Sequence, residues 1–176
     1  MEGQSTATRV FRAATLEHYL DVPPTAMVGE DEVLALHRAL HADVGDARAR
    51  SIGWVAGQRT GDYLLANRIP RFVQRLLKVL PAGLAARVLV AAIKRNAWTF
   101  VGTGTFSAQA GNPLVLEVTD SPLCRGVRQD GPACDFYAGT FERLFSRLVH
   151  PQTTVVETEC AAQGATRCRF EVSWRH

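Results

Sequence analysis

The spacing of apolar residues changes near the middle of this chain. Before Asn96 they recur every three or four positions, as on one face of an α-helix. From Trp98 onward they alternate with other residues, as in a strand with one buried face. Helices followed by strands that flank one further helix predict an α+β sandwich, in which a helical layer packs on an antiparallel four-stranded sheet.

Prolines and charged residues set the expected limits of the helices. Asp46 is placed to cap the longest one, and Pro70 ends it. Acidic residues from Glu30 to Glu32 favour the start of another. The helices predicted before the strands cover residues 30–41, 47–67, 71–80 and 84–96. Residues 1–22 are poorly specified by their pattern.

Two glycines interrupt the longest predicted helix. Gly53 and Gly57 lie four positions apart on the face that also carries the small and apolar residues. Glycine lowers helix propensity, so another backbone or a flat ligand is expected to approach that face closely. Simple helix packing explains the pattern as well as a ligand does.

The first strand predicted after the helices has an unusual face. Its side chains on one side are aromatic or absent, namely Trp98, Phe100, Gly102, Gly104 and Phe106. A turn at 110–113 leads to a second strand at 114–118, which predicts a hairpin. The two glycines leave a gap between the rings, and such a gap indicates either a β-bulge or a place for an aromatic ligand.

Four cysteines follow, with the spacing C-x9-C-x25-C-x7-C. Cys134 begins a helix predicted over 134–149, while Cys160 and Cys168 flank the turn of a hairpin predicted over 153–160 and 168–174. Pairing that is symmetric about Gly164 places the two hairpin cysteines opposite each other. Three thiols then converge from a helix start and a sheet, which indicates a tetrahedral zinc site with one ligand still to be found.

Cys124 and Glu157 are the candidates for the fourth zinc ligand. Glu157 lies three residues before Cys160, so in a regular strand the two side chains face opposite ways, and a bulge or strand end is required. The symmetric register also pairs Glu157 with Glu171, which is unfavourable unless a metal or an arginine neutralises one of them. The alternative is that these cysteines are ordinary buried residues.

Composition excludes several classes of protein. The chain has 176 residues, of which 47% are hydrophobic and 21% charged, and a formal net charge of +3. These values predict one ordinary globular domain without a nucleic-acid partner. The longest apolar run, at 88–93, is too short for a transmembrane segment, and the first residues lack the apolar region of a signal peptide. We therefore expect a cytoplasmic protein, whose reduced cysteines favour a metal over disulfides.

Three C-terminal segments, at 134–144, 157–164 and 168–170, resemble the 4-vinyl reductase domain family. The segments at 62–70 and 97–104 are similar to the members of that family that act in bacteriochlorophyll synthesis. The resemblance covers about residues 23–174 and implies one ligand-binding domain over 1–176. It also implies the fold of transport-particle (TRAPP) subunits and of the sensory domains of phenol-responsive transcription activators.

The resemblance implies a structural zinc as well. In the phenol-responsive sensors, three cysteines and a glutamate hold the ion, and the matching positions here are Cys134, Glu157, Cys160 and Cys168. Cys124 has no counterpart in that motif. A zinc bound in this way is closed to substrate and ties the hairpin to the helix.

The function that the resemblance implies is binding of a chlorophyll-type tetrapyrrole, either divinyl or monovinyl protochlorophyllide or chlorophyllide. The protein would be an accessory or carrier protein of bacteriochlorophyll biosynthesis, with a homodimer and other pigment-biosynthesis enzymes as partners. The residues expected to line an apolar pocket are Gly53, Gly57, Trp98, Phe100, Gly102, Gly104, Phe106, Phe136, Tyr137 and Arg125. Arg68, Arg71, Lys94 or Arg125 would pair with the pigment's propionate, and a histidine would bind its magnesium.

Two other functions compete with this one. The family name implies an 8-vinyl (formerly 4-vinyl) reductase, but hydride chemistry needs a cofactor, and Gly102-Thr103-Gly104 precedes no predicted helix. A small-molecule sensor or interaction module is the second alternative, because relatives are joined to signalling domains. His37 and His41 have a metal-compatible spacing on one helix, although such pairs are more often a half-exposed helical face.

Overall fold

A computed structural model describes residues 2–174 of the chain, with side chains from residue 5 onward. The elements before the first strand are α1 (Glu2–Ala13), α2 (His18–Asp21), α3 (Glu30–Val44), α4 (Asp46–Asn67), α5 (Arg71–Val79), α6 (Ala82–Arg95) and α7 (Trp98–Val101). The remaining elements are β1 (Thr105–Gln109), β2 (Leu114–Thr119), α8 (Asp135–Leu148), β3 (Thr153–Glu159), a short 3-10 helix (Ala161–Gln163) and β4 (Cys168–Trp174).

The four strands form one antiparallel sheet with the order β1-β2-β4-β3. Leu116 of β2 and Phe170 of β4 are directly paired and fully buried, and both belong to the main core together with Phe145 of α8. The Phe170 ring meets that of Phe141 edge to face, with centroids 5.5 Å apart. One face of the sheet thus packs on α8, which confirms the predicted α+β sandwich.

Helix α8 is covered on its other side by α4, and glycines allow this close crossing. A Cβ at Gly57 would collide with the backbone oxygen of Phe136, and one at Gly139 with that of Trp54. Gly61 lies against the side chain of Arg143. Because no side chains separate the backbones at these points, α8 lies buried between the sheet and α4.

The N-terminal residues, for which the sequence pattern predicts little, form helices that pack on α3. Val10, Ala14, Leu16 and Ala39 make a second small core there. An ion pair between Arg9 and Asp43, at 2.8 Å, also joins α1 to α3.

Most predicted helices are confirmed within a few residues, but the role predicted for Asp46 is wrong. Asp46 is the first residue of α4 rather than its cap, and the capping position is Gly45 with φ +78°. The Asp46 carboxylate instead lies 2.8 Å from Nδ1 of His41. Helix α3 also continues past His41, to Val44.

The prediction of a strand from Trp98 to Phe106 is wrong. Residues Trp98–Val101 are helical, with the amide of Val101 donating to the carbonyl of Ala97. The break comes at Gly102, where φ is +55°, and β1 begins only at Thr105. Alternation of aromatic residues over this stretch therefore reflects one helical turn followed by a tight bend, with Val101 directed into the core.

The hairpin of β3 and β4 has a different register from the symmetric one. Glu157 is opposite Phe170, and Val156 is opposite Glu171, so the expected Glu157–Glu171 pair does not form. The register shifts between Glu157 and Glu159, as at a β-bulge. This is the irregularity that was required for Glu157 and Cys160 to approach the same site.

None of the helices within residues 2–174 is both long and apolar enough to cross a membrane.

Candidate metal centre and neighbouring cleft

Four cysteines from four parts of the fold come together at one end of the sheet. Cys124 lies in the loop after β2, Cys134 precedes α8, Cys160 follows β3, and Cys168 begins β4. All four are buried and unpaired by disulfides, and their Sγ atoms all lie within 4.8 Å of one another. The structure therefore joins the three predicted thiols to Cys124, the alternative ligand.

The distances between the sulfurs suit a tetrahedral ion. Cys124 Sγ is 3.2 Å from Cys134 Sγ, 3.8 Å from Cys160 Sγ and 3.5 Å from Cys168 Sγ. The Sγ atoms of Cys134 and Cys168 are 3.3 Å apart. Zinc–sulfur bonds of about 2.3 Å in a tetrahedron separate the sulfurs by about 3.8 Å, so small outward movements would fit this cluster to zinc.

Glu157 adjoins the same cluster. Its Oε2 accepts a hydrogen bond of 3.0 Å from the amide of Cys134, while its Oε1 is buried without a hydrogen-bond partner. Burial raises the pKa of Glu157 to about 9, and the neighbouring Cys160 adds to the shift. A buried carboxyl oxygen without a partner is expensive, and a nearby cation would stabilise it.

The backbone around the cluster also donates to sulfur. The amides of Ala133 and Ala161 point at Cys160 Sγ and Cys168 Sγ, at 3.3 and 3.5 Å. In the cluster without an ion, hydrogen bonds from the other three cysteines lower the pKa of Cys160, whereas sharing hydrogens raises the pKa of Cys134 and of Cys168. One negative charge is thus accommodated, and a bound cation would deprotonate the remaining thiols.

The glycines predicted to face a ligand lie in the seam between α4 and α8. Gly57 meets the backbone of Phe136 and Thr140, and Gly53 is 3.7 Å from the amide of Phe136 when a Cβ is built on it. These contacts correspond to the helix-packing alternative for both residues.

The predicted aromatic lining is divided between the core and the surface. Phe100, Phe106, Phe136 and Tyr137 pack ring against ring, and the Tyr137 hydroxyl donates to the Phe100 carbonyl at 2.8 Å. Trp98 is 64% exposed. The gap expected beside Gly102 and Gly104 does not form, because a Cβ on the former would meet the Glu30 carboxylate and one on the latter would meet backbone carbonyls.

Arg125 has a structural set of partners. Its guanidinium bonds to Glu30 at 2.7 Å and to Asp120 at 3.1 Å, and it also donates to the hydroxyl of Thr103. These contacts tie the start of α3 to the loop after β2. Arg125, which was predicted to meet the pigment, is thus engaged with two carboxylates.

A cleft that the sequence did not single out lies beside the cysteine cluster. Its volume is about 420 Å³, within the range of roughly 300–1,000 Å³ that is usual for small-molecule sites. The residues that line it are His37, Arg38, His41, Asp46, Leu123, Val127, Arg128, Gln129, Asp130 and Ala133. Leu123 and Ala133 directly precede Cys124 and Cys134, so the cleft and the cluster share a wall.

His37 is the distinctive side chain of this cleft. Burial lowers its pKa to about 4, and the nearby His41 lowers it further, so the imidazole is neutral at neutral pH. Its ring meets Phe136 edge to face, with centroids 6.3 Å apart. The four-residue spacing of His37 and His41 was the signal in the sequence, but the opposite wall comes from residues 123–133 and is invisible to a helical pattern.

Comparisons with known proteins agree with these features. Residues 114–173, which contain all four cysteines, match the model of the 4-vinyl reductase domain. The chain is 45% identical to the bacteriochlorophyll synthase 23 kDa chain of Cereibacter sphaeroides over 170 residues, covering 97% of this chain and 81% of the relative. It is 42% identical to the protein of the same name from Rhodobacter capsulatus, covering 96% and 77%.

A solved structure with a similar arrangement is the phenol-responsive sensory domain of the transcription activator PoxR with phenol. It is 19% identical, with a TM-score of 0.49, and the match covers 84% of this chain and 75% of that one.

Proposed function

This chain belongs to the family of the bacteriochlorophyll synthase 23 kDa chains, and from that membership we propose that it acts in bacteriochlorophyll biosynthesis. Its role is that of an accessory protein that binds a chlorophyllide-type tetrapyrrole and works beside other pigment-biosynthesis enzymes. The identity of more than 40% across nearly the whole chain supports the pathway, and the chemistry of the cleft supports the ligand.

The metal in this proposal is one structural zinc. Cys134, Cys160 and Cys168 supply three thiolates, and Cys124 supplies the fourth, since its Sγ lies within 3.8 Å of each of the other three. Glu157 then orients the start of α8 through the Cys134 amide and counts as the competing ligand. With four protein ligands the ion has no open position, so its role is to fix the wall of the cleft.

The observation that carries pigment binding is the neutral, partly enclosed imidazole of His37 in the cleft. A neutral ring nitrogen is the form of histidine that binds a metal, here the central magnesium of the pigment. Arg38 and Arg128 line the same cleft and are suited to the pigment's propionate. Leu123, Val127 and Ala133 supply apolar contact for the macrocycle.

The test is a spectroscopic titration of the purified protein with divinyl and monovinyl protochlorophyllide. We expect saturable binding with a shifted Soret band, and His37→Ala should weaken it at least about tenfold, as loss of a metal ligand would. His18→Ala is the matched control, because His18 is exposed on α2. Binding that is absent, or equal in the two variants, would remove the proposed site.

The same samples separate binding from catalysis. Anaerobic incubation with divinyl substrate and NADPH should leave the vinyl group intact, since the proposed role is to hold the pigment. Stoichiometric or faster reduction of the vinyl group would replace the carrier proposal by the reductase alternative.

A further inference from the structure

The charges of this chain are distributed very unevenly. The segment 63–116 contains seven basic residues and no acidic residue, whereas the whole chain carries only +3, so the remaining residues sum to −4. The seven are Arg68, Arg71, Arg75, Lys78, Arg87, Lys94 and Arg95. All of them are exposed.

These cations are also without carboxylate partners. The ion pairs that the structure describes over residues 5–174 use other basic side chains, such as Arg50, Arg125 and Arg143. None of the seven takes part in one of those pairs. Their charge is therefore available to an external partner.

Helix α5 presents three distinct stripes. Phe72, Leu76 and Val79 recur at intervals of four and three positions and are 72%, 54% and 78% exposed. Arg71, Arg75 and Lys78 precede them one by one and form a neighbouring basic stripe. Leu77, which is 2% exposed, belongs to the third stripe and anchors the helix to the core.

Helix α6 repeats this arrangement. Its exposed apolar residues, Leu84 and Val88, lie next to Arg87, while Ala85 and Leu89 are buried in the core. The exposed Trp98 follows at the start of α7. Two consecutive helices thus each carry an unpartnered apolar stripe beside cations, and an indole follows them.

We propose that α5 and α6 dock this protein onto an anionic lipid surface, with the apolar stripes entering the acyl boundary and the cations meeting the headgroups. An apolar stripe alone would fit another protein equally well. The stretch of 54 residues without one carboxylate is what favours lipid, because the membrane surface is a uniform anionic partner. Exposed tryptophan is likewise favoured at the level of the headgroups.

The docking surface does not depend on pigment binding. The cleft is lined by residues 37–46 and 123–133, whereas this surface lies on α5 and α6. Pigment-free protein and pigment-free vesicles therefore test the surface alone, and pigment titration of the same variants tests the cleft alone.

The experiment is co-sedimentation of the full chain with phosphatidylcholine vesicles, with or without about 30% phosphatidylglycerol. We expect at least about tenfold stronger binding to the anionic vesicles, falling as salt is raised. The double variant Arg71→Glu/Arg75→Glu should lose this preference. Arg59→Glu/Arg147→Glu is the matched control, since both residues are exposed cations outside the segment.

A second pair of substitutions tests the apolar stripe. Phe72→Ser/Leu76→Ser should also weaken vesicle binding at least about tenfold, and circular dichroism with thermal melting should show folded protein. The proposal is overturned if the wild-type chain ignores anionic vesicles, or if the two charge variants bind alike. It is also overturned if Phe72→Ser/Leu76→Ser converts a dimer to a monomer without changing vesicle binding, since a second copy then covers this face.

Discussion

The Sγ atoms of Cys124 and Cys168 lie 3.5 Å apart, although 44 positions separate the two residues in the chain. Pairing of β2 with β4 brings them together, because Val118 near the end of β2 is opposite Cys168. The loop after β2 then returns Cys124 to the start of β4. A cation bound by these sulfurs would link the central strands to α8 and β3, and its removal is the first testable consequence.

Removal of the metal should destabilise the protein substantially. We expect about one zinc per chain by elemental analysis, and chelation should lower the melting temperature by roughly 10 °C, as loss of a few kcal/mol does in a domain of this size. Re-addition of zinc should restore the transition. Protein that is purified from zinc-replete cells without the metal and melts normally would contradict the structural role.

The identity of the fourth ligand can be read from cobalt-substituted protein. Cys124→Ser should lower the thiolate-to-cobalt charge-transfer absorption by about a quarter, because one of four thiolates is lost. Glu157→Gln should leave that intensity unchanged while weakening metal binding by roughly tenfold or more, as loss of an outer-shell partner does. Equal intensity in the wild type and Cys124→Ser would instead assign the fourth position to Glu157.

The crossing of α4 and α8 predicts a sharp difference between two glycines. Gly57→Ala should destabilise the fold by about 2 kcal/mol or more, because the new methyl group would collide with the backbone of Phe136 in the core. Gly83→Ala on α6 has open space around it and should change stability by less than about 1 kcal/mol, on the stabilising side. Urea unfolding of both variants checks this, and similar midpoints would show that the seam yields.

The lowered pKa of His37 predicts a pH-dependent contribution to stability. Since its pKa falls from about 6.5 in the unfolded chain to about 4 in the fold, the unfolded state binds more protons between these values. The contribution therefore rises with pH from about 4 to 6.5, by at most about 3 kcal/mol at 1.36 kcal/mol per pKa unit, and is constant above that window.

Comparison of the wild type with His37→Gln isolates this effect from other titrating groups. The difference in unfolding free energy between the two proteins should grow across pH 4 to 6.5 in favour of the wild type and then level off. A difference that is flat over this range would mean that His37 is hydrated in the folded protein.

Local patterns in the sequence predicted the elements whose signals are local. Helix α8, the turn before β2 and the terminal hairpin were expected within a few residues. The stretch from Trp98 to Phe106 failed because two tertiary features act on it, the capping of α6 and the tight bend at Gly102. The register of β3 with β4 failed for a related reason, since a bulge is decided by what each side chain meets across the sheet.

By itself, the sequence determined the two-layer α+β architecture, the family, and three of the four thiols that meet, because periodicity and motif spacing are properties of neighbouring residues. Only the tertiary structure decided that Cys124 joins them, that Gly53 and Gly57 serve a helix crossing, and that a neutral histidine faces a cleft beside the cluster. These facts depend on which distant backbone segments come within a few ångströms of each other. Packing of the whole chain fixes such distances, and no local pattern records them.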